Sequence, residues 1–552
     1  MLIGLLAAVV VAQQGVEQTT MGAKPGITIA ASFDGLGFGF SGPHGSNARG
    51  NPSDNSLAVG PDHIVQIVNS QMAIFTKKGK KYAETGTPLY GPVATNTLFK
   101  GRGGQCEAML SGDAVVRYDQ LADRWLFVLP LFRRGPERPD QPAIPKAGDP
   151  ATFSVPGVAG QPGAAMPLFV PPPPPPPDPN APARGAQPPA GGAGRGRGAG
   201  PQPQGPYGMC YAISTSSDPT GSYYRYEFLR ALFPDYPRPA IWTDGYYVPT
   251  STGDNRISET VATQKHACVV ERDKMLNGLP AREQCLIIEN VNFLNNADID
   301  GNTPPPAGAP NIMMAAGAEQ LSTRFEDDGI YAWQLKVNWD DPSKTKADGP
   351  TKITVAPYHY LCDGQLSNCV PQPGTERRLD AQGDKLMARL VYRRVNGNES
   401  IVAVHSVNTS AGGGGVRWYE FNVNTKTRAV SLKQQGTYAP DGFFRWMGSP
   451  AIDRFGNIGI GYSFGGTPNF AGQRFAGRLA GDPLNQLTLK EAVLVNGESA
   501  QTNTVRWEDY TQTAVDPVDD CTIWYVGDYF KKDATSYSTR IGAFRMPACR
   551  PR

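Results

Sequence analysis

Short β-strand patterns recur along the chain and constrain its fold more than any other feature. Each recurrence begins with a polar turn, often containing Asp, continues with a strand of small or apolar residues, and ends with an aromatic-rich strand. Seven such units begin near Pro52, Ser111, Asp235, Cys285, Leu379, Phe444 and Val505. Short strands bounded by Gly, Pro, Asn and Asp are typical of all-β proteins. Long amphipathic helical patterns do not occur in the sequence.

The regular repetition predicts how the strands are arranged. We expect an all-β fold, a β-propeller of seven four-stranded blades, in a single domain spanning residues 27–549. Each blade buries its faces on its neighbours, and closure of the ring removes exposed strand edges. Two packed β-sandwiches are the competing architecture. In the clearest predicted hairpin, Gly456 and Asn457 supply the positive φ angles that a tight turn requires.

Composition supports this fold class and limits the possible partners. Gly (63 residues) and Pro (51 residues) are abundant in the 552-residue chain, and charged residues make up only 18%. This balance favours turns and strands over helices. The net charge of +2 creates no field that would attract nucleic acid or an anionic membrane surface, so neither partner is expected.

The first residues resemble an export signal. Residues 1–12 contain an apolar run that is about as long as the hydrophobic region of a signal peptide and too short to span a bilayer. Val10 and Ala12 place small residues before a cleavage at Gln13. A buried N-terminal strand is the alternative interpretation. No later apolar run approaches the length of a membrane span, so we expect a secreted protein, extracellular or periplasmic.

The cysteines point to the same compartment. An even number, eight, is typical of disulfides in an exported chain, although the sequence alone allows many connectivities. Pairing each cysteine with its neighbour keeps every bond within one unit and gives Cys106–Cys210, Cys268–Cys285, Cys362–Cys369 and Cys521–Cys549. A zinc site is disfavoured, because no C-x-x-C motif occurs and the five histidines lie far apart.

Residues 133–206 differ from the rest of the chain. They include seven consecutive prolines, Pro171 to Pro177, and a run rich in glycine and arginine. Such a segment buries too little apolar surface to offset its conformational entropy, so we predict a long disordered insertion. The β pattern resumes at Met209, which places the insertion within blade 2 and not between two domains. Binding of a polymer or wall component by its arginines is the functional alternative.

Acidic residues at the start of several units form the main candidate site. In a propeller, the turn before the innermost strand lies at one mouth of the central channel. The residues expected to converge there are Asp54, Asp113, Asp244, Asp384 and Asp509. Grouped carboxylates suit a hard cation such as Ca²⁺, sugar hydroxyls or, when paired, acid–base chemistry. The alternative is that each Asp caps its own turn and binds no ligand.

Two Arg-Trp pairs precede strands in what we expect to be adjacent units. The pairs are Arg445 with Trp446 and Arg506 with Trp507. An exposed pair of this kind offers a stacking surface and bidentate donors to an anionic or sugar ligand. The alternative is that each Trp wedges between blades while its Arg pairs with a carboxylate.

Two weaker motifs also carry candidate residues. Asp298 and Asp300 resemble part of a calcium loop, but the glycine position excludes an EF-hand and leaves only a local calcium site of another type. Ser463 lies in a G-x-S-x-G motif, which is typical of a nucleophile between a strand and a helix. Helix-breaking residues follow and no histidine is near in the sequence, so we disfavour a nucleophilic role.

Three segments resemble a family of exported bacterial proteins that has no assigned activity. They are D-N-S-L-A-V-G-P-D-H-I-V-Q-I-V-N-S from Asp54, D-I-D-G-N-T-P-P-P-A-G-A-P-N from Asp298 and R-W-E-D-Y-T-Q-T-A-V-D-P-V-D-D-C-T-I-W-Y from Arg506. The resemblance covers most of the chain outside the proline-rich insertion. It implies export and a propeller-like fold, and it implies no reaction.

Together these observations favour a secreted ligand-binding or scaffold propeller with a site at the mouth of the central channel. The expected ligand is a cation, with Ca²⁺ as the candidate cofactor, or a glycan or cell-envelope component. A glycoside-active enzyme on the same scaffold, a sialidase-like hydrolase or lyase, is the alternative. An envelope protein that acts through its proline-rich arm is the third hypothesis. The sequence indicates no oligomeric state.

Overall fold

Strands follow one another along nearly the whole chain in the computed structural model. The structure describes residues 16–46, 51–134, 165–172, 203–230, 233–250, 264–291, 293–317, 328–364 and 368–550. These residues form 34 strands and a few short helices, so the protein is all-β, as predicted. The predicted signal at residues 1–12 and most of the predicted insertion lie outside the described residues.

The N-terminal segment supplies strands to two distant sheets. It contains β1 (Glu17–Gln18), β2 (Thr28–Asp34), β3 (Ser41–Gly42) and β4 (Gly45–Ser46). Strands β3 and β4 form a small hairpin, whereas β1 and β2 join sheets built from the C-terminal half of the chain.

Sheet 1 is a four-stranded antiparallel meander. Its strands are β5 (Ser56–Val59), β6 (His63–Val68), β7 (Gln71–Thr76) and β8 (Pro88–Ala94). The first two strands are buried at every position, which explains the nearly continuous apolar run in this part of the sequence. A 3-10 helix (Thr95–Phe99) and helix α1 (Gln105–Ala108) follow.

Sheet 2 has five strands and flanks the predicted insertion. Its strands are β9 (Val115–Asp119), β10 (Arg124–Arg134), β11 (Met166–Pro167), β12 (Pro203–Ser214) and β13 (Ser222–Arg230). Strands β10 and β12 are antiparallel neighbours, with Arg134 opposite Pro203. The chain therefore leaves this sheet and returns to it at the adjacent strand. Strand β11 lies between these two points in the sequence and pairs with β13 at the edge of the sheet.

Sheet 3 shows where one predicted unit boundary was wrong. Its strands are β14 (Ala240–Ile241), β15 (Tyr246–Pro249), β16 (Gln264–Val270) and β17 (Glu283–Glu289), with helix α2 (Arg272–Leu276) before the last. Cys285 lies opposite Cys268 in the β16–β17 ladder. Cys285, which the sequence predicts as the start of the fourth unit, belongs to the last strand of the third.

The large sheet contains thirteen strands, one of which is the N-terminal strand β1. In chain order its other strands and the separate hairpin β22–β23 are β18 (Asn295–Ile299), β19 (Asn311–Ala316), β20 (Gly329–Lys336), β21 (Lys346–Thr354), β22 (Val370–Gln372), β23 (Thr375–Leu379), β24 (Leu390–Val395), β25 (Asn398–Asn408), β26 (Gly414–Val423), β27 (Val430–Tyr438), β28 (Phe444–Ile452), β29 (Ile458–Gly466), β30 (Asn469–Arg478) and β31 (Ala492–Val495). Two 3-10 helices, Pro342–Lys344 and Leu361–Gly364, connect some of them.

The β28–β29 hairpin has the turn that the sequence predicts, with one difference. Gly456 has a φ of 79°, whereas Asn457 is not among the residues with positive φ. The side chain of Asp453 accepts the backbone N–H groups of Phe455 and Asn457, each at 2.9 Å. One glycine and an Asp side chain therefore close the turn together.

The closing sheet joins the two ends of the described chain. It consists of β32 (Gln512–Val515), β33 (Ile523–Tyr529), β34 (Ser538–Arg545) and the N-terminal strand β2. Strand β2 pairs antiparallel with β34. A strand from the beginning of the chain thus covers the edge of the last sheet, which is a common way to close a propeller ring.

Inner strands from successive parts of the chain form a closed cycle. Each of the strands lies against the next one, and the last lies against the first, in the order β5, β9, β14, β18, β24, β28 and β32. Apolar cores fill the spaces between neighbouring sheets: Trp125 packs between sheets 1 and 2, and Tyr246 between sheets 2 and 3. Phe475 of the large sheet stacks on Phe544 of the closing sheet, with ring centres 4.2 Å apart. The sheets are therefore packed face to face around a channel.

This arrangement is propeller-like, as predicted, but the number of separate blades is four and not seven. Sheets 1, 2 and 3 and the closing sheet stand as individual blades of four or five strands. The predicted fourth, fifth and sixth blades share the large sheet. Their strands are joined by parallel pairing of β18 with β24, where Ala297 lies opposite Leu390, and of β26 with β28, where Gly414 lies opposite Phe444.

All four predicted disulfides are confirmed, and they use every cysteine of the chain. Cys106–Cys210 ties α1 to β12, and Cys521–Cys549 ties the C-terminal residues to the closing sheet. Four disulfides indicate an oxidising environment outside the cytoplasm. In the described ranges, no helix combines the length and the apolar character that crossing a bilayer requires.

Candidate functional site

Turns that precede inner strands share an unusual backbone conformation. Asp54, Asp113, Tyr236, Gln382 and Asp509 have φ angles of 47°, 51°, 54°, 48° and 63°. They lie shortly before β5, β9, β14, β24 and β32 respectively. Residues other than glycine seldom adopt positive φ, and Asp and Asn tolerate it best because their short side chains bond locally. Five turns from different parts of the ring are therefore built alike.

Hydrogen bonds join these turns into one group, which we name the mouth cluster. The Tyr236 hydroxyl donates to the Asp509 carbonyl oxygen at 2.7 Å, and the Gln382 Nε2 donates to Asp509 Oδ1 at 2.6 Å. The Tyr510 hydroxyl donates to Asp113 Oδ2 at 3.0 Å. The members of the cluster are Asp54, Asp113, Asp235, Tyr236, Arg238, Phe293, Asp380, Gln382, Asp384, Lys385, Arg506, Asp509 and Tyr510.

Carboxyl groups crowd one side of the mouth cluster. Burial raises the pKa of Asp54 well above its ordinary value of 3.8, and the charges of Asp113 and Asp509 raise it further. Burial likewise raises the pKa of Asp113 to about 7, and the charges of Asp235 and Asp509 add to this effect. Asp113 is half-buried at the surface of the cluster. At neutral pH this side of the mouth therefore retains protons that exposed carboxyl groups would have lost.

Arg506 neutralises part of this charge from within the cluster. Its Nε donates to Asp380 Oδ2 at 3.1 Å, and its Nη2 donates to Asp509 Oδ2. The carboxylates hold the pKa of Arg506 above its ordinary value, against the opposing effect of burial. About a third of its side chain (32%) is exposed, so Arg506 is a charged group that a ligand can reach.

Two cations and two aromatic rings form the other side. The guanidinium carbon of Arg238 lies 4.7 Å from the ring centre of Tyr236 and 5.0 Å from that of Phe293. The Lys385 Nζ lies 4.4 Å from the Phe293 ring centre and 5.3 Å from that of Tyr236. Lys385 also donates to Asp384 Oδ1 at 2.6 Å. The mouth cluster therefore contains two cations that lie over one pair of aromatic rings, with Asp384 beside them, in addition to the carboxyl groups of Asp54, Asp113 and Asp509.

In the part of the chain that the structure describes, one carboxyl group and one guanidinium group of this cluster have buried polar atoms without hydrogen-bond partners. Asp54 Oδ2 accepts from Asn69 Nδ2 at 2.5 Å, but Asp54 Oδ1 is buried and has no hydrogen-bond partner among the described residues. All three guanidinium nitrogens of Arg238 are buried and have no acceptor there either. An unsatisfied buried group costs about 1–3 kcal/mol. A stable fold that leaves both kinds of group unsatisfied at one channel mouth is a candidate for ligand binding.

Asp244 lies away from the mouth cluster, contrary to the prediction. It lies in the turn between β14 and β15, which is the opposite end of β14 from the turn that carries Tyr236. Its Oδ1 accepts the Tyr247 hydroxyl at 3.0 Å, and its carbonyl accepts Trp339 Nε1 at 3.0 Å. Asp235, in the turn before β14, belongs to the mouth cluster instead.

The first Arg-Trp pair is structural, which corrects the prediction of a ligand platform at Arg445 and Trp446. Trp446 is fully buried, and Arg445 is 1% exposed. The Arg445 Nη1 and Nη2 donate to the two carboxylate oxygens of Asp441 at 2.8 and 2.9 Å, and its Nε donates to Glu491 at 2.9 Å. No face of either side chain is open to a ligand.

The two residues of the second Arg-Trp pair have different roles. Arg506 belongs to the mouth cluster, whereas Trp507 is buried behind it. The Trp507 indole Nε1 donates to Ser463 Oγ at 2.9 Å, and its backbone N–H donates to Asp380 Oδ1 at 2.5 Å. Trp507 therefore positions Asp380 and does not offer a stacking surface. Ser463 is fully buried and bonded to Glu508, as expected of a structural serine.

Asp298 and Asp300 lie deeper in the channel and are paired with arginine. Arg389 donates from Nε to Asp298 Oδ2 and from Nη2 to Asp300 Oδ1, both at 2.6 Å, and Arg117 Nε lies 3.4 Å from Asp298 Oδ2. Their remaining oxygens accept the backbone N–H groups of Ile241 and Ile452. Each of the four oxygens has a donor and the charge is neutralised, so the geometry does not support the predicted calcium site.

These residues line a small cavity in the channel, of about 30 Å³. Arg117, Asp298, Asp300, Arg389 and Thr513 form much of its wall. A space of this size holds no more than one or two waters. This cavity is therefore too small for a sugar.

Two groups of potential metal ligands elsewhere contain disulfide cysteines. In the part of the chain that the structure describes, they are His266 with Cys268 and Cys285, and Asp519 with Cys521 and Cys549. Each group includes a complete disulfide. Oxidised cysteines have no thiolate to offer, so neither group forms a zinc site as it stands.

Sequence reasoning missed more than half of the mouth cluster. The signal for Asp235, Tyr236 and Arg238 was present as D-Y-P-R-P directly before β14, a proline-rich polar turn. Aromatic members such as Phe293 and Tyr510 carried no signal, because buried aromatic residues are common in any β core.

Comparisons with known proteins give little further information. No family model and no curated protein sequence matches the chain. A protein of unknown function from Dyadobacter fermentans is 10% identical, with 95% of this chain and all of that chain covered, at a TM-score of 0.33. The intramolecular trans-sialidase of Ruminococcus gnavus is 9% identical (74% and 89% covered, TM-score 0.32). The catalytic domain of a GH62 α-L-arabinofuranosidase from Coprinopsis cinerea is 7% identical (56% and 90% covered, TM-score 0.27). Similarities at these scores carry no argument about function.

Proposed function

We propose that this protein binds a glycan at the mouth cluster. The supporting observation is that, among the described residues, the cluster contains a buried carboxyl oxygen without a hydrogen-bond partner, Asp54 Oδ1, and buried donors without an acceptor, on Arg238. A sugar hydroxyl both donates and accepts hydrogen bonds, so one polyhydroxylated ligand satisfies both groups. The exposed part of Arg506 and the half-buried Asp113 provide further contacts at the surface.

A calcium ion suits the same place less well. Ca²⁺ takes six to eight oxygen ligands, as a rule from ionised carboxylates. Here Asp54, Asp113 and Asp509 already accept bonds from Asn69, Tyr510, Gln382 and Arg506. Arg506 supplies the positive charge that a cation would bring, so we keep Ca²⁺ as an outcome of the test.

The proposal extends to the setting of the site. We propose that the large sheet consists of three blade-like antiparallel runs, β18–β21, β24–β27 and β28–β31, which complete a ring of seven with the four separate blades. We also propose that the chain is exported to the periplasm or the cell exterior, and that it belongs to the exported bacterial family that it resembles. The four disulfides support this location, where envelope glycans are accessible partners.

A glycoside-active enzyme is the second candidate, and one observation favours it. The half-buried Asp113 has a pKa raised to about 7 and shares the cluster with Asp54, whose pKa is also raised. A carboxyl group that keeps its proton near neutral pH is suited to act as a general acid on a glycosidic oxygen. This candidate requires a cleaved product, whereas the binding proposal does not.

Thermal shift and calorimetry against a glycan panel, with and without Ca²⁺, test the proposal. A ligand at one hundred times its Kd should stabilise the protein by about 2.7 kcal/mol. We expect Asp54→Asn and Asp113→Asn to weaken binding at least tenfold. Asp244→Asn is the matched control, because it makes the same change outside the cluster, and it should leave binding unchanged.

Two results would count against the proposal. If Ca²⁺ alone stabilises the wild type and no glycan does, the site is a cation site. If Asp244→Asn weakens glycan binding as much as Asp113→Asn, the ligand lies elsewhere. Chromatography of the incubated glycans distinguishes the second candidate, since only an enzyme releases a shorter product.

A further inference from the structure

Arg238 is held in an orientation that its own surroundings do not explain. The residue is 3% exposed, and its guanidinium lies against the rings of Tyr236 and Phe293. Within the described residues, none of its three side-chain nitrogens meets an acceptor. Arginine presents a planar fork of donors that matches a carboxylate, so the missing partner is an acceptor with two oxygens.

Lys385 makes the same part of the mouth cluster more positive. Its Nζ lies over the same two rings as Arg238 and is buried. Lys385 is held by Gln382 Oε1 and Asp384 Oδ1, at 2.5 and 2.6 Å. The two cations therefore lie together over one pair of rings, with Asp384 beside them, while Asp54, Asp113 and Asp509 interact with one another.

The separate placement of the two cations and of Asp54, Asp113 and Asp509 suits a ligand that has one acidic end. Hydroxyl groups suit the side that carries Asp54 and Asp113, and an anion suits the side that carries Arg238. A singly charged planar carboxylate fits better than a phosphate, because a second negative charge would be repelled by Asp384 and Asp235, which also act on Arg238 electrostatically.

We propose that the glycan bound at the mouth cluster is acidic, and that Arg238 binds the carboxylate of a hexuronic acid unit. This inference rests on the proposed function, since it names the class of glycan for the same site. Arg238 acts as a specificity residue: it selects the charged sugar over its neutral counterpart, while the aspartates hold hydroxyl groups common to both.

Matched pairs of ligands test this inference with the full chain. The probes are hexuronate trisaccharides with α-1,4-galacturonate, β-1,4-glucuronate or β-1,4-mannuronate units, each beside its methyl ester, which keeps the hydroxyl groups and removes the charge. Isothermal titration calorimetry on the wild type should show at least one free acid that binds tenfold or more tightly than its ester. In Arg238→Gln the acid and the ester should bind within twofold of each other.

Two further variants separate specificity from folding and from general charge. Arg238→Lys keeps the charge without the planar fork and should retain part of the preference for the acid. Arg282→Gln is the matched control for loss of one positive charge, since Arg282 pairs with Glu271 outside the mouth cluster. It should keep the full preference. Thermal unfolding of each variant establishes that it is folded before it is titrated, and Arg238→Lys serves for the test if Arg238→Gln does not fold.

The outcomes distinguish this inference from the proposed function. If the wild type binds neutral glycans and esters as tightly as free acids, the inference is wrong and the proposed function stands. If the wild type prefers a free acid but Arg238→Gln keeps that preference, another residue recognises the carboxylate and the inference is wrong. If no glycan of either kind binds, both proposals fail.

Discussion

Asp528 and Glu508 form a buried carboxyl pair next to the mouth cluster, and the pair predicts how stability depends on pH. Both residues are almost completely buried. Glu508 Oε1 accepts the backbone N–H of Asp528 at 2.6 Å, and Asp528 Oδ1 accepts Asn55 Nδ2 at 2.7 Å. Burial raises the pKa of Asp528 to about 7, and burial together with the charge of Asp528 raises the pKa of Glu508 well above its ordinary value.

The direction of the pH effect follows from proton binding. Between about pH 4 and pH 7 the folded protein holds a proton on Asp528 that the unfolded chain has released, so stability falls as the pH rises. The stabilising contribution is complete below pH 4 and is lost as the pH passes through about 7. Raising the pKa from 3.8 to about 7 corresponds to about 4 kcal/mol at alkaline pH.

Asp528→Asn tests this argument because asparagine has the same shape and does not ionise. Urea unfolding, followed by tryptophan fluorescence at pH 5 and pH 8, should show that the variant is more stable than the wild type at pH 8. It should also lose the part of the pH dependence that Asp528 contributes, while Asp113 and the other carboxyl groups with raised pKa keep theirs. Asp528 alone should account for about 4 kcal/mol of the free energy of unfolding that the wild type loses over the full titration.

A matched substitution directly after β32 of the same sheet gives the opposite expectation. Both oxygens of Asp516 accept from Lys77 Nζ at 2.7 Å, in a buried ion pair. Asp516→Asn removes one charge of that pair and should destabilise the fold by about 3–5 kcal/mol at both pH values. If Asp528→Asn destabilises the fold at pH 8 as Asp516→Asn does, the pKa of Asp528 is not raised and the reasoning is refuted.

Three further predictions concern the fold. Replacing Cys106 and Cys210 with Ser should lower the free energy of unfolding by about 5 kcal/mol, and replacing Cys362 and Cys369 should lower it by about half as much. The reason is that the paired cysteines are separated by 104 residues in the first case and by 7 in the second. Equal losses in calorimetry would contradict this prediction. Arg389→Met leaves Asp298 and Asp300 without their main cation and should cost about 3–5 kcal/mol in urea unfolding, whereas a loss below 1 kcal/mol would show that the pair is not ionised. Trp446→Ala should cost about 3–5 kcal/mol with unchanged glycan affinity, and weaker binding at unchanged stability would restore Trp446 as a ligand contact.

Local patterns explain which predictions from the sequence were correct. Turn residues and short apolar runs specify strands, so the all-β class and the propeller-like order could be inferred from them. Neighbouring cysteines paired as expected because consecutive strands of one sheet lie side by side, as with Cys268 and Cys285. The number of separate blades could not be inferred, because β18 and β24 pair across residues that are far apart in the chain.

The candidate site was predictable in outline and not in detail. An Asp two residues before β5 or β9 is visible in the sequence, and Asp54 and Asp113 do meet at the mouth. Asp244 and Asp235 look equally suitable, since they flank β14 on either side. Only the direction of β14 in the ring decides which of them reaches the mouth, and no local property of the residues encodes that direction.

The amino-acid sequence alone determined the local conformations: which segments form strands, where tight turns lie, and which cysteines are close enough to bond. Local conformation can be read from the sequence because it depends on residues only a few positions away. Tertiary structure decided the electrical character of the mouth cluster. Asp113 has a raised pKa, and Arg238 has no acceptor among the described residues, because closure of the ring brings turns that are distant in the sequence together.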